Sequence, residues 1–422
     1  MIDVAAAVIC RGDKILMCQR PAEKKCGLLW EFPGGKIEEG ETAEECAVRE
    51  CREELNVTVK PKQLIRTLTY RYPDVKVRLH FYICTLEKGE PQKLEHNDIR
   101  WCSIEEIKQL DLCPADYEII NNDFDKVFYQ GNNMIEKIRK YIFSQRDSII
   151  NDLRRFVKIP SISNPESKIK PFGAECRKVL DEYAKIAGEH GLFSRIFDYS
   201  CAAVAIGESE LMTPEDTVGI WTHADVVPVG DGWIYPPFEG ICENGLMIAR
   251  GVQDNKCACI AGLYIFQCLR DMKIPLKGKY LWYAGSSEEC GMQDIDLYLE
   301  KYMSPKLNLV ADCGFPVCIG EKTIPPKDKN NSVVRCLTNT YNNITGRNDE
   351  PYVIGGNTYA SKLPNAYPYG MIFGGKDKIY SYMPKGHGDY HQPDEAVEID
   401  KLLEAMVIYV ISIIELDKEI SG

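Results

Sequence analysis

The spacing of apolar and polar residues changes several times along the 422-residue chain. Val4–Ile9 and Lys14–Cys18 are short apolar runs flanking Arg11-Gly12-Asp13, which predicts a hairpin. Lys76–Thr85, reading KVRLHFYICT, alternates polar and apolar residues and predicts a half-buried strand. Between these, Glu41–Leu55 is rich in helix formers and poor in breakers, so a helix is expected there. Thr42, with Glu45 three residues on, predicts its N-cap and a capping box. The polar stretch Asn121–Asn133 contains the turn-like cluster Gly131-Asn132-Asn133, which sets the end of a first domain at residues 1–130. Ile135–Val157 is helical in pattern and stops before Pro160. Strand-like and helix-like segments then mix to the end, so residues 131–422 are expected to form an α/β domain. Lys322–Asn331 is irregular and rich in Lys, Pro and Asn, and no internal repeat is present. The longest apolar run, Ala405–Ile414, is too short to span a bilayer and predicts a buried terminal helix.

Length and charge narrow this picture. A chain of 422 residues suits two or three domains, and 45% hydrophobic with 27% charged residues is ordinary for a globular protein. The net charge of −12 argues against a nucleic-acid polymer as partner, since polymer binding relies on Lys and Arg at phosphates. Nucleotides remain allowed, because carboxylates can hold phosphates through a bridging Mg²⁺. The N-terminal segment lacks a basic stretch followed by a long apolar core, so a cytoplasmic protein with no membrane partner is expected. The 18 cysteines are scattered with no C-x-x-C pair and read as free buried thiols.

The first candidate chemistry lies in GKIEEGETAEECAVRECREELNV, from Gly35 to Val57. Glu50, Glu53 and Glu54 fall at i, i+3 and i+4, on one face of the expected helix. Three stacked carboxylates repel one another, and either a solvated acidic face or a bound cation accounts for them. The wider segment resembles the Nudix box through Gly35, Glu41, Arg49, Glu50, Glu53, Glu54 and Val57. Cys51 stands where an aliphatic is usual, and Asn56 replaces the last glycine while tolerating the left-handed backbone of a helix end. The resemblance implies an α/β/α sandwich with a mixed sheet. It makes Glu50, Glu53 and Glu54 ligands of Mg²⁺, with the Gly35 carbonyl and the loop residue Glu95 as further candidates. Arg49 would orient the carboxylates, and Glu53 or Glu54 would act as base. Metal and water would then split a nucleoside triphosphate between phosphates.

The flanking segments VAAAVICRGDKILMCQRP, LLWEFPGGK and LEHNDIRWCSIEEIKQLDLCPADYEII resemble the 8-oxo-dGTP diphosphatase branch, whose members remove oxidised nucleotides before DNA synthesis. Asp116 stands near the position where relatives read the damaged base with Asn. An amide donates and accepts, whereas an ionised carboxylate only accepts. Relatives with an aspartate there act on modified pyrimidine triphosphates, so a CTP/dCTP-type substrate is the alternative.

A second set of candidate ligands is dispersed over His223 and Asp225 in WTHADVVPVGDGW, Asp254 in GVQDNK, Glu288 and Glu289 in GSSEECG, Asp312 in VADCG and His391 in HGDYHQPDE. Each is unremarkable alone. In this order they resemble the di-zinc dipeptidases, aminoacylases and deacylases, over roughly residues 140–422. The resemblance implies a mostly parallel central sheet and two Zn²⁺ ions. One would be held by His223, Asp254 and Asp312, the other by Asp254, Glu289 and His391. Glu288 would be the general base, and Asp225 would orient the His223 ring. The substrate would be a small peptide or acyl-amino acid. Members of that family normally insert a lid domain that supplies an oxyanion histidine, a carboxylate-binding arginine and a dimer contact. Here only about residues 322–354 are available for it, and Ser361 stands where an arginine is usual. The expectation is therefore a lidless, monomeric zinc-peptidase domain, with a non-catalytic scaffold as the alternative.

Overall fold

The computed structural model describes the chain except residues 12–13, 73–74, 123, 374–382 and 422, and without the side chains of 105 and 124–133. Two compact units emerge, Met1–Glu136 and Lys137–Gly422.

In the first unit the long strand Ile2–Arg11 is central. It pairs in parallel with Lys76–Lys88 and antiparallel with Lys14–Gln19 and Gly34–Lys36. Thr58–Arg71 adds antiparallel to Lys76–Lys88, while Trp30–Glu31 and Asp98–Cys102 both pair with Lys14–Gln19. The tip of the expected hairpin, Gly12 and Asp13, lies outside the described residues. Alternation along the central strand sends Ala6 and Val8 to one face and Ala5, Ala7 and Ile9 to the other. The first face is covered by Ile119 and Ile120 of helix Pro114–Asn122, the second by Cys46, Ala47, Cys51 and Leu55 of helix Ala43–Leu55. The result is the α/β/α sandwich with a mixed sheet. Cys51 fills its aliphatic position completely buried.

The expected turn at Gly131–Asn133 is corrected: these residues lie inside a helix, Phe124–Ser144. One glycine costs a helix about 1 kcal/mol relative to alanine, too little to stop one of this length. The helical pattern of Ile135–Val157 is divided at Gln145, where that helix gives way to Arg146–Val157.

The second unit is organised by a six-stranded sheet. Ala366–Pro368, Leu307–Val310, Thr217–His223 and Lys279–Gly285 lie side by side in parallel, and Cys201–Ala205 and Phe193–Phe197 continue antiparallel. Thr217–His223 is buried throughout, as a central parallel strand must be. On one face, helix Cys257–Asp271 lies so close that a side-chain carbon on Gly262 would meet the Trp282 ring at 2.3 Å. On the other, the cross-strand neighbours Trp221 and Tyr283 stack with centroids 3.9 Å apart. The run Ala405–Ile414 is the buried heart of the terminal helix Ile399–Ser421. Among the described residues no helix is long and apolar enough to cross a membrane.

Residues 322–354 form a loop, the helix Ser332–Thr345, capped by Asn331 and ended by left-handed Gly346, and the short strand Tyr352–Val353, which pairs in parallel with Cys318–Gly320. The buried Val333, Val334, Leu337 and Tyr341 of the helix turn inward, and the helix packs against Ile399–Ser421, with Tyr341 stacked on Phe315.

Candidate active sites

The first site is written on helix Ala43–Leu55. Thr42 caps it, and the capping box with Glu45 is complete. Asn56 ends it in the left-handed conformation. Arg49 is the hub. Its guanidinium donates to Glu41 at 2.8 and 3.0 Å, to Glu50 at 2.8 Å, to Glu53 at 3.1 Å and to the Lys36 carbonyl at 3.1 Å. These bonds hold the Glu41 carboxyl down to about 2. The Glu50 carboxylate lies against Gly35, where a side-chain carbon would sit 2.1 Å from its oxygen. The Gly35 carbonyl accepts from the Cys46 thiol at 3.5 Å.

Glu54 differs from its neighbours. Its side chain is only 12% exposed against 56% for Glu53, and its Oε2 accepts from the Gly34 N–H at 3.1 Å. Burial, then the charges of Glu50 and Glu31, push its pKa up to about 8. Such a group calls for a nearby cation. The buried His96 ring lies 3.8 Å from Glu54 but is driven neutral, to about 4, by burial and Lys24. An all-oxygen set of this kind fits Mg²⁺. The three carboxylates are not drawn into a closed cage, since Arg49 holds Glu50 and Glu53; among the described residues the closely clustered metal-binding groups lie in the second unit. Glu95 is half-exposed and accepts from Lys24 at 3.2 Å.

Asp116 is buried at the start of helix Pro114–Asn122, where its Oδ1 accepts from the Phe32 N–H at 3.0 Å. Burial and then the Glu31 charge lift its pKa to about 8. It is thus neutral at pH 7, and a protonated carboxyl both donates and accepts. From sequence the contrast is between an amide and an ionised carboxylate, and burial favours the protonated form that lies between them. Glu31 was missed altogether. Paired with Arg20 and raised by burial, it acts electrostatically on both Glu54 and Asp116. Its one sequence signal was its place beside FPGGK.

The second site gathers where three parallel strands end. His223 closes Thr217–His223, Glu288 and Glu289 follow Lys279–Gly285, and Asp312 follows Leu307–Val310. Ligands collect at this edge of open α/β sheets. Asp254 enters from the turn before helix Cys257–Asp271 and His391 from the loop before the terminal helix. Asp254 stands between the histidines: Oδ1 lies 3.0 Å from His223 Nε2, and Oδ2 lies 3.1 Å from His391 Nε2. Asp312 is 3.7 Å from His223 Nε2, and Glu289 is 3.2 Å from His391 Nε2. Donor atoms of His223, Glu288 and Asp312 lie within 4.8 Å of one another, as do those of His223, Asp254 and Glu289.

Charge in this cluster is balanced by the imidazoles. Burial opposes a charge on His223, but Asp312, Asp225 and Asp254 outweigh it and raise its pKa. Hydrogen bonds to Asp254 and Glu289 raise His391 to about 10. Burial lifts Glu288 well above the carboxylate range and Asp312 to about 7. A buried acidic cluster that recruits protons in this way fits divalent cations, and mixed nitrogen and oxygen donors suit zinc.

The supporting residues are mostly ones the sequence could not mark. His223 Nδ1 faces the main-chain carbonyl of Asp225 at 3.1 Å and its carboxylate at 3.4 Å. That carboxylate mainly accepts from the N–H groups of Glu288 and Glu289 and from Ser163 Oγ. Asn255 donates to Asp312 at 2.8 Å. Glu395, fully buried, accepts from the N–H groups of Gly251, Gln253 and Asp254 and from Arg250. Only adjacency to Asp254 and to the HQPD run could have flagged Asn255 and Glu395; Ser163 left no signal. Ser361 donates to the Met292 sulfur at 3.5 Å.

The family comparisons agree with this division. The NUDIX domain family matches residues 1–122, and the Peptidase family M20/M25/M40 matches residues 219–415. The first stretch of the chain is thus similar to Nudix domains and the later one to M20-type peptidases. A Staphylococcus aureus (strain USA300) protein named as a dipeptidase is 33% identical over 218 residues, which are 51% of this chain and 42% of that protein. The chain therefore spans about two fifths of the length of that relative. The solution structure of the E. coli ORF135 protein is 36% identical, covering 30% of this chain and 90% of the other, with a TM-score of 0.27. The solution structure of the MutT protein, family Nudix hydrolase, from methicillin-resistant Staphylococcus aureus 252 is 38% identical, covering 30% and 96%, with a TM-score of 0.27.

Proposed function

We propose that the first unit is a Mg²⁺-dependent nucleoside triphosphate pyrophosphohydrolase that sanitises oxidised nucleotides of the 8-oxo-dGTP class. The observation that carries this reading is Arg49 gathering Glu41, Glu50 and Glu53 beside the largely covered Glu54. Bound Mg²⁺ would neutralise phosphate charge and activate water. Arg49 fixes the carboxylate directions, Glu50, Glu53 and Glu54 with the Gly35 carbonyl and Glu95 provide oxygen donors, and Glu53 or Glu54 takes the proton. Asp116, neutral at pH 7, offers a base both a donor and an acceptor, as an amide would. Ionised, it only accepts, which suits the amino group of a cytosine and supports a CTP/dCTP-type substrate as the second reading. Release of pyrophosphate and nucleoside monophosphate should be compared for 8-oxo-dGTP, dGTP, dCTP and CTP with Mg²⁺. Preference for 8-oxo-dGTP supports the first reading, preference for a pyrimidine replaces it with the second, and no turnover of any of them removes both.

For the second unit the proposal is a two-zinc dipeptidase or deacylase acting on small peptides or acyl-amino acids, with its lid reduced to residues 322–354. The supporting observation is that the two oxygens of Asp254 face His223 and His391 separately. The two zinc ions would polarise the amide carbonyl. Glu288 holds and delivers the proton, while Asp225 and Asn255 orient His223 and Asp312. The dipeptidase name of the Staphylococcus relative points the same way. With the lid reduced, the protein is proposed to be a monomer, and a light-scattering mass of two chains would overturn this. A cytoplasmic setting is supported by 18 free cysteines and no disulfide among the described residues.

A further inference from the structure

Four consecutive backbone N–H groups lead into the glutamate pair of the second unit, and two buried carboxylates accept all four. Strand Lys279–Gly285 ends just before them. Ser286 and Ser287 donate to Asp294 Oδ2 at 2.7 and 2.9 Å. Glu288 and Glu289 donate to the two oxygens of Asp225 at 3.0 and 3.2 Å. Both aspartates are fully buried. Asp294 Oδ2 also accepts from the Tyr359 hydroxyl, and its Oδ1 accepts from the Ile295 N–H at 2.9 Å. Space for this arrangement exists only because residue 285 is glycine. A side-chain carbon there would lie 1.9 Å from the Tyr359 hydroxyl and 2.5 Å from Asp294 Oδ2.

Hydrogen bonds from N–H groups to an ionised acceptor are about twice as strong as neutral ones. The first half of the turn is therefore fixed by a charge from helix Gln293–Leu299, and the second half by a charge from beyond the His223 strand. Metal ligands must be held to within about 0.5 Å of their working geometry. Loss of the Asp294 carboxylate would strand two buried N–H groups and a buried hydroxyl, each at a desolvation cost that the turn can relieve only by moving.

We propose that Asp294 is a positioning residue for Glu288 and Glu289, held in place by Tyr359 and by the absence of a side chain at Gly285. This rests on the zinc-peptidase reading of the second unit only for its functional consequence; the hold on the turn stands apart from it.

The test uses the full chain with Asp294→Ser, Asp294→Asn and Tyr359→Phe, and reads amide hydrogen exchange together with zinc affinity by chelator competition. In Asp294→Ser, exchange over Ser286–Glu289 is expected to rise at least about tenfold, while Thr217–His223 and Lys279–Gly285 stay protected. Zinc affinity should fall about 10- to 100-fold, the usual scale for an outer partner of a metal ligand. Asp294→Asn keeps an acceptor oxygen and should recover most of both effects, and Tyr359→Phe should give a smaller rise confined to the turn. Wild-type exchange over the turn in Asp294→Ser would overturn the proposal. So would a rise spread evenly over the whole sheet, which marks a general structural role. Should Asp294→Ser fail to fold, unchanged turn exchange in Tyr359→Phe overturns it equally. If the wild type binds no zinc, the zinc reading falls, and the exchange data still decide whether Asp294 holds the turn.

Discussion

The two acidic centres of this chain solve one problem in opposite ways. In the first, Glu50, Glu53 and Glu54 are within five positions on one helix, and Arg49 on that same helix pairs with Glu50 and Glu53. In the second, Asp254, Glu289 and Asp312 from three separate turns converge between His223 at a strand end and His391 in a distant loop, and the balance comes from protons on the imidazoles. A local cluster must carry its own counter-charge because solvent and sequence neighbours are all it has. A cluster assembled by the fold can be buried, and burial is what pushes Glu288 and Asp312 up and leaves room for metal ions as the natural counter-charge. The first site is therefore expected to survive as an ordered patch without metal, and the second to depend on it.

The largest expected effect breaks the second site alone. Changing both His223 and His391 to Ala should take zinc from about two ions per chain to none, measured by elemental analysis, with nucleotide hydrolysis unaffected. Retained zinc would remove these histidines from the site. Next, Glu53→Gln or Glu54→Gln should lower Mg²⁺-dependent nucleotide hydrolysis by at least about 10²-fold, the scale of losing one charge-stabilising group, with zinc content unchanged. Wild-type turnover in both variants would refute the assignment. Arg49→Ala tests the internal counter-charge and should weaken Mg²⁺ binding about tenfold or more by releasing three carboxylates. An unaltered Mg²⁺ titration would mean that the guanidinium only decorates the helix.

The smallest effect concerns Asp116. Its pKa is raised by burial from the ordinary 3.8 to about 8, so the folded state binds a proton that the unfolded chain releases. The associated stability is complete below about pH 4 and is lost as pH rises through 8. Wild-type denaturation midpoints should therefore fall between pH 5 and 9, and Asp116→Asn should flatten that decline. Parallel curves for the two proteins would show that Asp116 is already ionised at pH 5. Asp116→Ala, which removes both donor and acceptor, should shift the balance between purine and pyrimidine triphosphates if Asp116 touches the base, and an unchanged substrate profile in that variant would exclude the contact.

The same contrast governs what could be read before any fold was known. Thr42, Glu45 and Asn56 announce the ends of the carboxylate helix because caps act through bonds spanning three or four residues. The shared face of Glu50, Glu53 and Glu54 follows from helical periodicity alone. Where a stretch balanced weak local preferences, as at Gly131–Asn133, the sequence pointed to a turn and the chain is helical. For the second site, the likeness to zinc peptidases named the residues, but nothing local linked His223 to Asp254 or Glu289 to His391.

What the sequence by itself determined are the elements and groupings set within one or two turns of chain: the capped helix, its acidic face and the alternating strands. Only the tertiary structure decided which residues support them. It covered most of Glu54, raised the pKa of Asp116 beside Glu31, and set Glu395 behind Asp254 and Asp294 behind Ser287, next to Glu288. The physical reason is distance along the chain. Desolvation and buried charge pairs depend on what lies nearby in space, and that is fixed only when strands remote in sequence align in the sheet.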